Sequence, residues 1–268
     1  MNRVTDDLFT QYLLHASQFT STAALAILAT LLLYLSNELY YRSFGRFKRH
    51  SILITGMAGV PVHETSHLLA AILFRFDIHR VAFFDPDPRS GTLGYVNFSY
   101  RSGLFQKLGL FVTGLAPLIG GVAVVIFLFD VADIPNLSDF LTRISIDQAV
   151  VLSLQNWFNS VVAAVNSQGV ETGLLLLLSV MVGVHATPSR ADLRGVVSGF
   201  LASIFLLIIA LFVELLLIRS GFFVDPILSD FLSLFAVGLI QLAALSALFS
   251  VALSSFGYLA RVIFSLRQ

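Results

Sequence analysis

The chain has 268 residues, of which 57% are hydrophobic and 12% are charged, about half the charged fraction usual in soluble domains. Its mean hydropathy is +0.87, and its formal net charge of zero argues against a nucleic-acid partner. The absence of cysteine excludes disulfides, so any bound metal must be held by His, Asp or Glu. The composition predicts an integral, multi-pass membrane protein with a single membrane domain over residues 1–268.

Apolar runs near the length needed to cross a bilayer, about 20 residues, recur along the chain. Because a span in lipid must satisfy its own backbone hydrogen bonds, each run is predicted as a helix. The six predicted segments cover residues 22–40, 51–74, 104–129, 172–187, 195–218 and 231–256. The predicted fold class is therefore an all-α polytopic membrane protein with about six transmembrane helices.

The second segment contains the chemically informative motif, His63-Glu64-Thr65-Ser66-His67, which has the pattern H-E-x-x-H. On a helix, positions i and i+4 share one face, so His63 and His67 can direct ring nitrogens to one metal ion. Glu64 lies between them and is predicted to be the general base, because zinc lowers the pKa of water to about 7. Two His and a Glu inside an apolar span are costly unless they are functional.

A small membrane-associated β-hairpin is predicted over residues 79–100. Two runs rich in β-branched and aromatic residues flank residues 85–91, whose Asp, Pro and Gly content is typical of a turn. The edge of the hairpin could pair with an extended peptide strand. A purely structural hairpin is an equal alternative, because sheet edges need cover in any case.

The long connection at residues 130–171 is predicted to contain a helix over residues 146–165. Trp157 and Phe158 in this helix are suited to the membrane interface. Lys and Arg are concentrated in the hairpin region, the 188–194 link and the C-terminus, which predicts that this side is cytoplasmic. The basic stretch at residues 42–49 then falls outside, against the same rule.

A catalytic zinc usually has three protein ligands and one open position, so a third donor must reach the second segment. The candidates lie at the end of the fourth segment and just after it. Asp192 is the leading choice and His185 the second, either as an alternative ligand or as a group that orients a ligand. His79 is weaker, because it follows the second segment too closely to fold back easily.

Three blocks, in this order, resemble the site-2 protease family of intramembrane zinc metalloproteases. They are residues 59–67 with the hairpin sequence 91–96, the Thr-Gly-Leu-Ala-Pro-Leu block at residues 113–118, and residues 185–195. Together they cover the three-helix catalytic core of such enzymes, here residues 51–195. Within the third block, His185 stands where the family usually has Asn.

The resemblance implies that His63, His67 and the aspartate matching Asp192 bind Zn²⁺, and that Glu64 is the general base. It also implies that a transmembrane protein substrate partly unwinds to reach the metal. The Lys and Arg distribution predicts that the site is nearer the cytoplasmic side. The candidate substrate-binding residues in these blocks are Tyr95, Val96, Gly114 and Pro117.

The predicted function is therefore hydrolysis of peptide bonds in or near transmembrane segments of membrane proteins. Two alternatives stay open: a membrane-embedded zinc hydrolase of a lipid or small amide, and a non-catalytic zinc-binding membrane protein. Expected partners are a transmembrane substrate, membrane lipid and a regulatory membrane protein, and no nucleic acid is expected.

Overall fold

The structure is a computed structural model that describes residues 2–43, 48–140, 148–220 and 230–248. These residues form seven α-helices, one two-stranded sheet and a short 3-10 turn, which confirms the mainly helical fold. The elements in chain order are α1 (Asn2–Ser43), α2 (Lys48–Leu73), β1 (Asp77–Ala82), β2 (Tyr95–Ser99), α3 (Leu104–Val131), the 3-10 turn Leu137–Asp139, α4 (Gln148–Gln168), α5 (Val170–His185), α6 (Arg190–Arg219) and α7 (Asp230–Leu248).

Four of the described helices are long and apolar enough to cross a membrane, which supports a membrane protein. The spans are Thr20–Leu39, Leu104–Val131, Arg190–Glu214 and Asp230–Leu248. The prediction of six spans is not confirmed. Helix α2 has basic residues at its start and a polar run from His63 to His67, and α5 has only 16 residues. At 1.5 Å per residue, α5 is about 24 Å long, shorter than a hydrocarbon core of about 30 Å.

Some predicted boundaries need correction. The 188–194 link is shorter than expected because α6 already begins at Arg190. Part of the sixth predicted segment, residues 249–256, lies outside the described residues. Trp157 does not face the interface: it is 1% exposed, stacks on Phe129, and donates from Nε1 to the carbonyl of Pro135 at 3.0 Å. Burial of the ring therefore anchors α4 to the end of α3.

The predicted β-hairpin is confirmed. Strands β1 and β2 are antiparallel, and the pairing shifts between Ile78 and Arg80, so His79 is the extra residue of a bulge. In the turn, the Asp87 carboxylate accepts hydrogen bonds from the backbone of Arg89 and from Ser90. These bonds hold the pKa of Asp87 below its usual value and tie the turn together.

Helix α3 is the centre of the bundle and packs against α2, α5 and α6. One face of α3 contributes Val122, Val125 and Phe129 to the main apolar core, which α5 and α7 complete with Val180, Val184, Leu239 and Leu242. Helix α3 therefore lies in the interior of the bundle, in contact with side chains of three other helices.

A seam of glycines brings α3 and α6 into close contact. Gly195 and Gly199 on α6 form a G-x-x-x-G pair that lies against α3, and Gly114 of α3 lies against Asp192 and Val196 of α6. A Cβ at Gly199 would meet the carbonyl oxygen of Lys107, and would lie 2.8 Å from Phe111. The backbones can approach this closely only because these positions lack side chains.

We expect Gly199→Ala to destabilise the protein by about 1–3 kcal/mol, the usual cost of forcing a methyl group into a filled contact. Thermal unfolding in detergent measures the loss. Gly173→Ala on α5 is the matched control, because a Cβ there meets nothing within 4 Å. Equal melting temperatures for the two variants would contradict the seam.

Candidate metal centre

The two histidines of the H-E-x-x-H motif face each other on α2. Their Nε2 atoms are 3.1 Å apart, and the rings meet edge to face at a centroid distance of 4.8 Å. The i, i+4 spacing therefore places both ring nitrogens at one point, as the sequence predicts.

The ring nitrogen of each histidine that faces away from the other histidine is hydrogen-bonded to a main-chain carbonyl. Nδ1 of His63 lies 2.7 Å from the carbonyl oxygen of His185, and Nδ1 of His67 lies 2.9 Å from that of Thr113. A carbonyl can only accept, so in each hydrogen bond Nδ1 carries the proton and donates it. A neutral imidazole protonated at Nδ1 has a lone pair on Nε2, which is the form that binds a metal.

Asp192 completes the group from the first turn of α6. Its Oδ1 lies 3.2 Å from Nε2 of His67, and its Oδ2 lies 3.7 Å from Nε2 of His63. Donor atoms of the three residues all lie within 4.8 Å of one another. Two nitrogen lone pairs and a carboxylate at this separation repel one another unless a positive charge lies among them.

A capping box fixes the Asp192 carboxylate. The backbone N–H of Ser189 donates to Oδ2 at 2.7 Å, and the backbone N–H of Asp192 donates to the Ser189 hydroxyl at 3.3 Å. Ser189 precedes α6 and Asp192 is its third residue, which is the spacing of this motif. Helix capping thus orients the carboxylate toward the histidines.

The donor set fits a divalent metal ion such as zinc. His nitrogen and Asp oxygen are both zinc ligands, and three protein donors leave one of four tetrahedral positions open. Within the described residues, no fourth His, Cys, Asp or Glu joins the group. A site that serves only structure normally has four protein ligands.

The other two predicted ligand candidates lie elsewhere. The ring of His185 is turned to Thr55, with Nε2 2.9 Å from the hydroxyl, so this residue contributes its carbonyl and not its imidazole. Nε2 of His79 lies 2.9 Å from the hydroxyl of Ser99. His79 lines the same cavity but is not part of the donor group.

Glu64 lies beside the three donors in a cavity of about 860 Å³. The residue is only 7% exposed. The hairpin covers it closely, because a Cβ at Gly94 would lie 2.8 Å from Cγ of Glu64 and from Val60. The hairpin and the motif helix thus form opposite walls around one carboxylate.

The predicted substrate-binding residues divide into two groups. Tyr95, Val96 and Gly114 line the cavity. Pro117 does not line it, and its side chain is less than 2% exposed in the interior of the bundle. Its prediction as a substrate contact came from its sequence block alone, and its position on the buried face of α3 explains the difference.

Several residues that support the site were not predicted. Asn37 of α1 donates from Nδ2 to the carbonyl of Val184 at 2.9 Å and so holds the end of α5. Its signal is a buried polar residue in an apolar span. The Ser-x-x-Asp pattern at residues 189–192 and the Gly-x-x-x-Gly pattern at residues 195–199 were also readable. The Thr-x-x-x-Pro spacing at residues 113–117 indicates a carbonyl without a helical donor, but no local pattern names His67 as its partner.

We expect Asp192→Ala to lose stoichiometric zinc and His185→Ala to keep it, because only Asp192 directs a donor atom to the histidines. Metal analysis of the purified proteins measures this. His185→Ala keeps its main-chain carbonyl and serves as the control for disturbance near α5. Loss of zinc in His185→Ala with retention in Asp192→Ala would reverse the assignment.

We expect Gly94→Ala to retain zinc and to displace the hairpin from α2, because the new methyl group meets Glu64, Val60 and the carbonyl of Ala82 at 2.8 Å. Limited proteolysis of the hairpin should therefore become faster than in the wild type. Gly173→Ala again provides the control. An unchanged cleavage rate would show that the hairpin is not packed on Glu64.

Comparisons of the chain with protein-family models, with curated proteins and with solved structures found no match. The resemblance to site-2 proteases therefore depends on the three sequence blocks, and the function is argued from the chemistry of the donor group and its cavity.

Proposed function

We propose that the chain is an intramembrane zinc metalloprotease. The observation that carries the proposal is the convergence of His63, His67 and Asp192 beside Glu64, in a cavity within a bundle of membrane-length helices. The motif supplies two ligands and a carboxylate from a single helical turn, and the third ligand comes from a different helix. This division of roles is the one that metalloprotease chemistry requires.

The three donors would hold the zinc ion, and Glu64 would move the proton. A bound zinc ion polarises a carbonyl and lowers the pKa of water. A Glu64 carboxylate oxygen accepts a proton from the attacking water and delivers it to the nitrogen of the leaving amine. The close cover of Gly94 over Glu64 limits access of bulk water to this carboxylate.

A peptide substrate fits the walls of the cavity. One side is formed by β2, whose residues Tyr95 to Phe98 all line it. The sheet has two strands among the described residues, so β2 is paired with β1 on one side only. An extended substrate segment laid along β2 would form main-chain hydrogen bonds and place a peptide bond beside Glu64. This supports a peptide over the lipid or small-amide alternative.

The proposed active site is nearer the cytoplasmic side. Asp192 lies in the first turn of α6, next to Arg190 and Arg194, and the site shares this end of the bundle with the hairpin that carries Arg80 and Arg89. Lys and Arg are enriched in cytoplasmic connections of membrane proteins. A transmembrane protein is the proposed substrate, and lipid and a regulatory membrane protein are the proposed further partners.

We expect Glu64→Gln to retain zinc and to lower cleavage by about 10²–10⁴-fold or more, the usual contribution of a positioned general base. The amide is nearly isosteric with the carboxylate but cannot accept the proton. The measurement is cleavage of a panel of fluorogenic transmembrane-segment peptides in liposomes, alongside metal analysis of the same samples.

Thr65→Ala is the matched control, because Thr65 is the exposed neighbour on the same helical turn. A Glu64→Gln protein that cuts as fast as the Thr65→Ala protein would rule out Glu64 as the base. A zinc-loaded wild type that cuts no peptide in the panel but hydrolyses lipid esters or amides would favour the alternative hydrolase.

A further inference from the structure

Pro117 lies inside α3 and leaves one carbonyl of that helix without its usual donor. In an α-helix, the carbonyl of residue i accepts from the N–H of residue i+4. For Thr113 that residue is Pro117, which has no N–H. The ring of proline also tilts this carbonyl away from the helix axis.

The released carbonyl has a specific partner. It accepts the Nδ1 hydrogen of His67 at 2.9 Å, in a contact where His67 is 7% exposed and Thr113 is 3% exposed. No water competes readily for this bond at that burial. The hydrogen bond therefore decides which ring nitrogen of His67 carries the proton.

The carbonyl that orients the other histidine, His63, also lacks a hydrogen-bond donor from its own helix. His185 is the last residue of α5, and the N–H four residues later, on Ser189, donates to Asp192. Pro188 lies between them and helps to end the helix. Both rings are thus oriented by carbonyls that have no helical donor. The His185 carbonyl lies at the end of a helix, whereas the Thr113 carbonyl lies in the middle of one and lacks its donor because of Pro117.

We propose that Pro117 is a positioning residue: it reserves the Thr113 carbonyl for His67 and so keeps Nε2 of His67 free to bind a metal. The inference deepens the proposed metal site and rests on it. It assigns to Pro117 a role through His67 in place of contact with substrate.

A donor at position 117 reverses this arrangement. The N–H of Pro117→Ala would point along the helix axis at the Thr113 carbonyl, where the helix itself holds it. A carbonyl oxygen can accept twice, but the imidazole is the partner that is free to turn. His67 would then carry its proton on Nε2 for part of the time, and that tautomer cannot bind a metal through Nε2.

Two replacements at position 117 separate the missing donor from the proline ring. Pro117→Ala introduces an N–H, whereas the α-hydroxy acid analogue of alanine, incorporated at the same position, introduces an ester oxygen with the same side chain. We expect Pro117→Ala to weaken zinc affinity about tenfold or more, as loss of an orienting partner does. The ester variant should bind within about twofold of the wild type, because its ligand set and orienting partner are unchanged.

Zinc affinity is measured by competition with a chromogenic chelator in detergent. Wild-type affinity in Pro117→Ala, or an equal loss in the alanine and ester variants, would overturn the inference. If the wild type itself binds no stoichiometric zinc, the metal proposal fails, and the tautomer measurement then tests Pro117 alone.

The tautomer of His67 is read by ¹⁵N NMR of zinc-free, histidine-labelled protein, at a pH raised until the ¹⁵N shifts show a neutral ring, because the Asp192 carboxylate 3.2 Å from Nε2 favours the protonated ring. We expect the Nδ1–H form in the wild type and in the ester variant, and a shift toward the Nε2–H form in Pro117→Ala. The same tautomer in all three proteins would overturn the inference. Loss of one signal in His67→Asn assigns the resonance.

Discussion

Two hydrogen bonds from imidazole to main-chain carbonyl orient the histidines of the candidate metal centre, and the rest of the site depends on them. One joins Nδ1 of His63 to the carbonyl of His185, and the other joins Nδ1 of His67 to the carbonyl of Thr113. Each bond fixes a proton on the ring nitrogen that faces away from the site. When both rings are neutral, the two facing nitrogens have lone pairs and lie 3.1 Å apart. Without those carbonyls the rings could share a proton with each other, and their lone pairs would not be held toward the Asp192 carboxylate, which the capping box positions independently.

The carbonyls belong to different helices, so the donor group depends on packing as well as on the motif. Helix α3 supplies Thr113, the end of α5 supplies His185, and the start of α6 supplies Asp192. Glycine makes each approach close enough: Gly59 of α2 lies against His185, and Gly114 of α3 lies against the backbone of Asp192. A methyl group added at either glycine would push the helices apart and would therefore separate Asp192 and the orienting carbonyls from the histidines of the motif.

The local parts of the site could be predicted from the sequence, and the parts set by helix packing could not. His63, Glu64 and His67 lie within one turn, so their spacing already places them on one side of α2. Asp192 was the leading third ligand because a catalytic zinc needs a third protein donor and this acid follows the end of the fourth predicted segment. The orienting role of the Thr113 carbonyl depends on the rotation and depth of α3, about which local spacing says nothing.

The errors of prediction have the same origin. Of the two roles predicted for His185, its position fits a group that orients a ligand, but it orients His63 through its carbonyl and not through its ring. Pro117 was grouped with substrate contacts because it shares a block with Gly114, although it lies on the buried face of the same helix. Six spans were expected because hydropathy does not show whether a 16-residue apolar helix such as α5 crosses the bilayer.

The carboxylate of Asp192 takes part in two interactions: it caps the first turn of α6, and it faces the two histidines. Binding of a metal ion and folding of that turn would then be thermodynamically linked, because the ion would bind the same carboxylate oxygens that cap the helix. By linkage, each tenfold excess of free ion above its dissociation constant adds about 1.4 kcal/mol to the folded form. Binding of an ion at this site would therefore stabilise the folded form through the same carboxylate that caps α6.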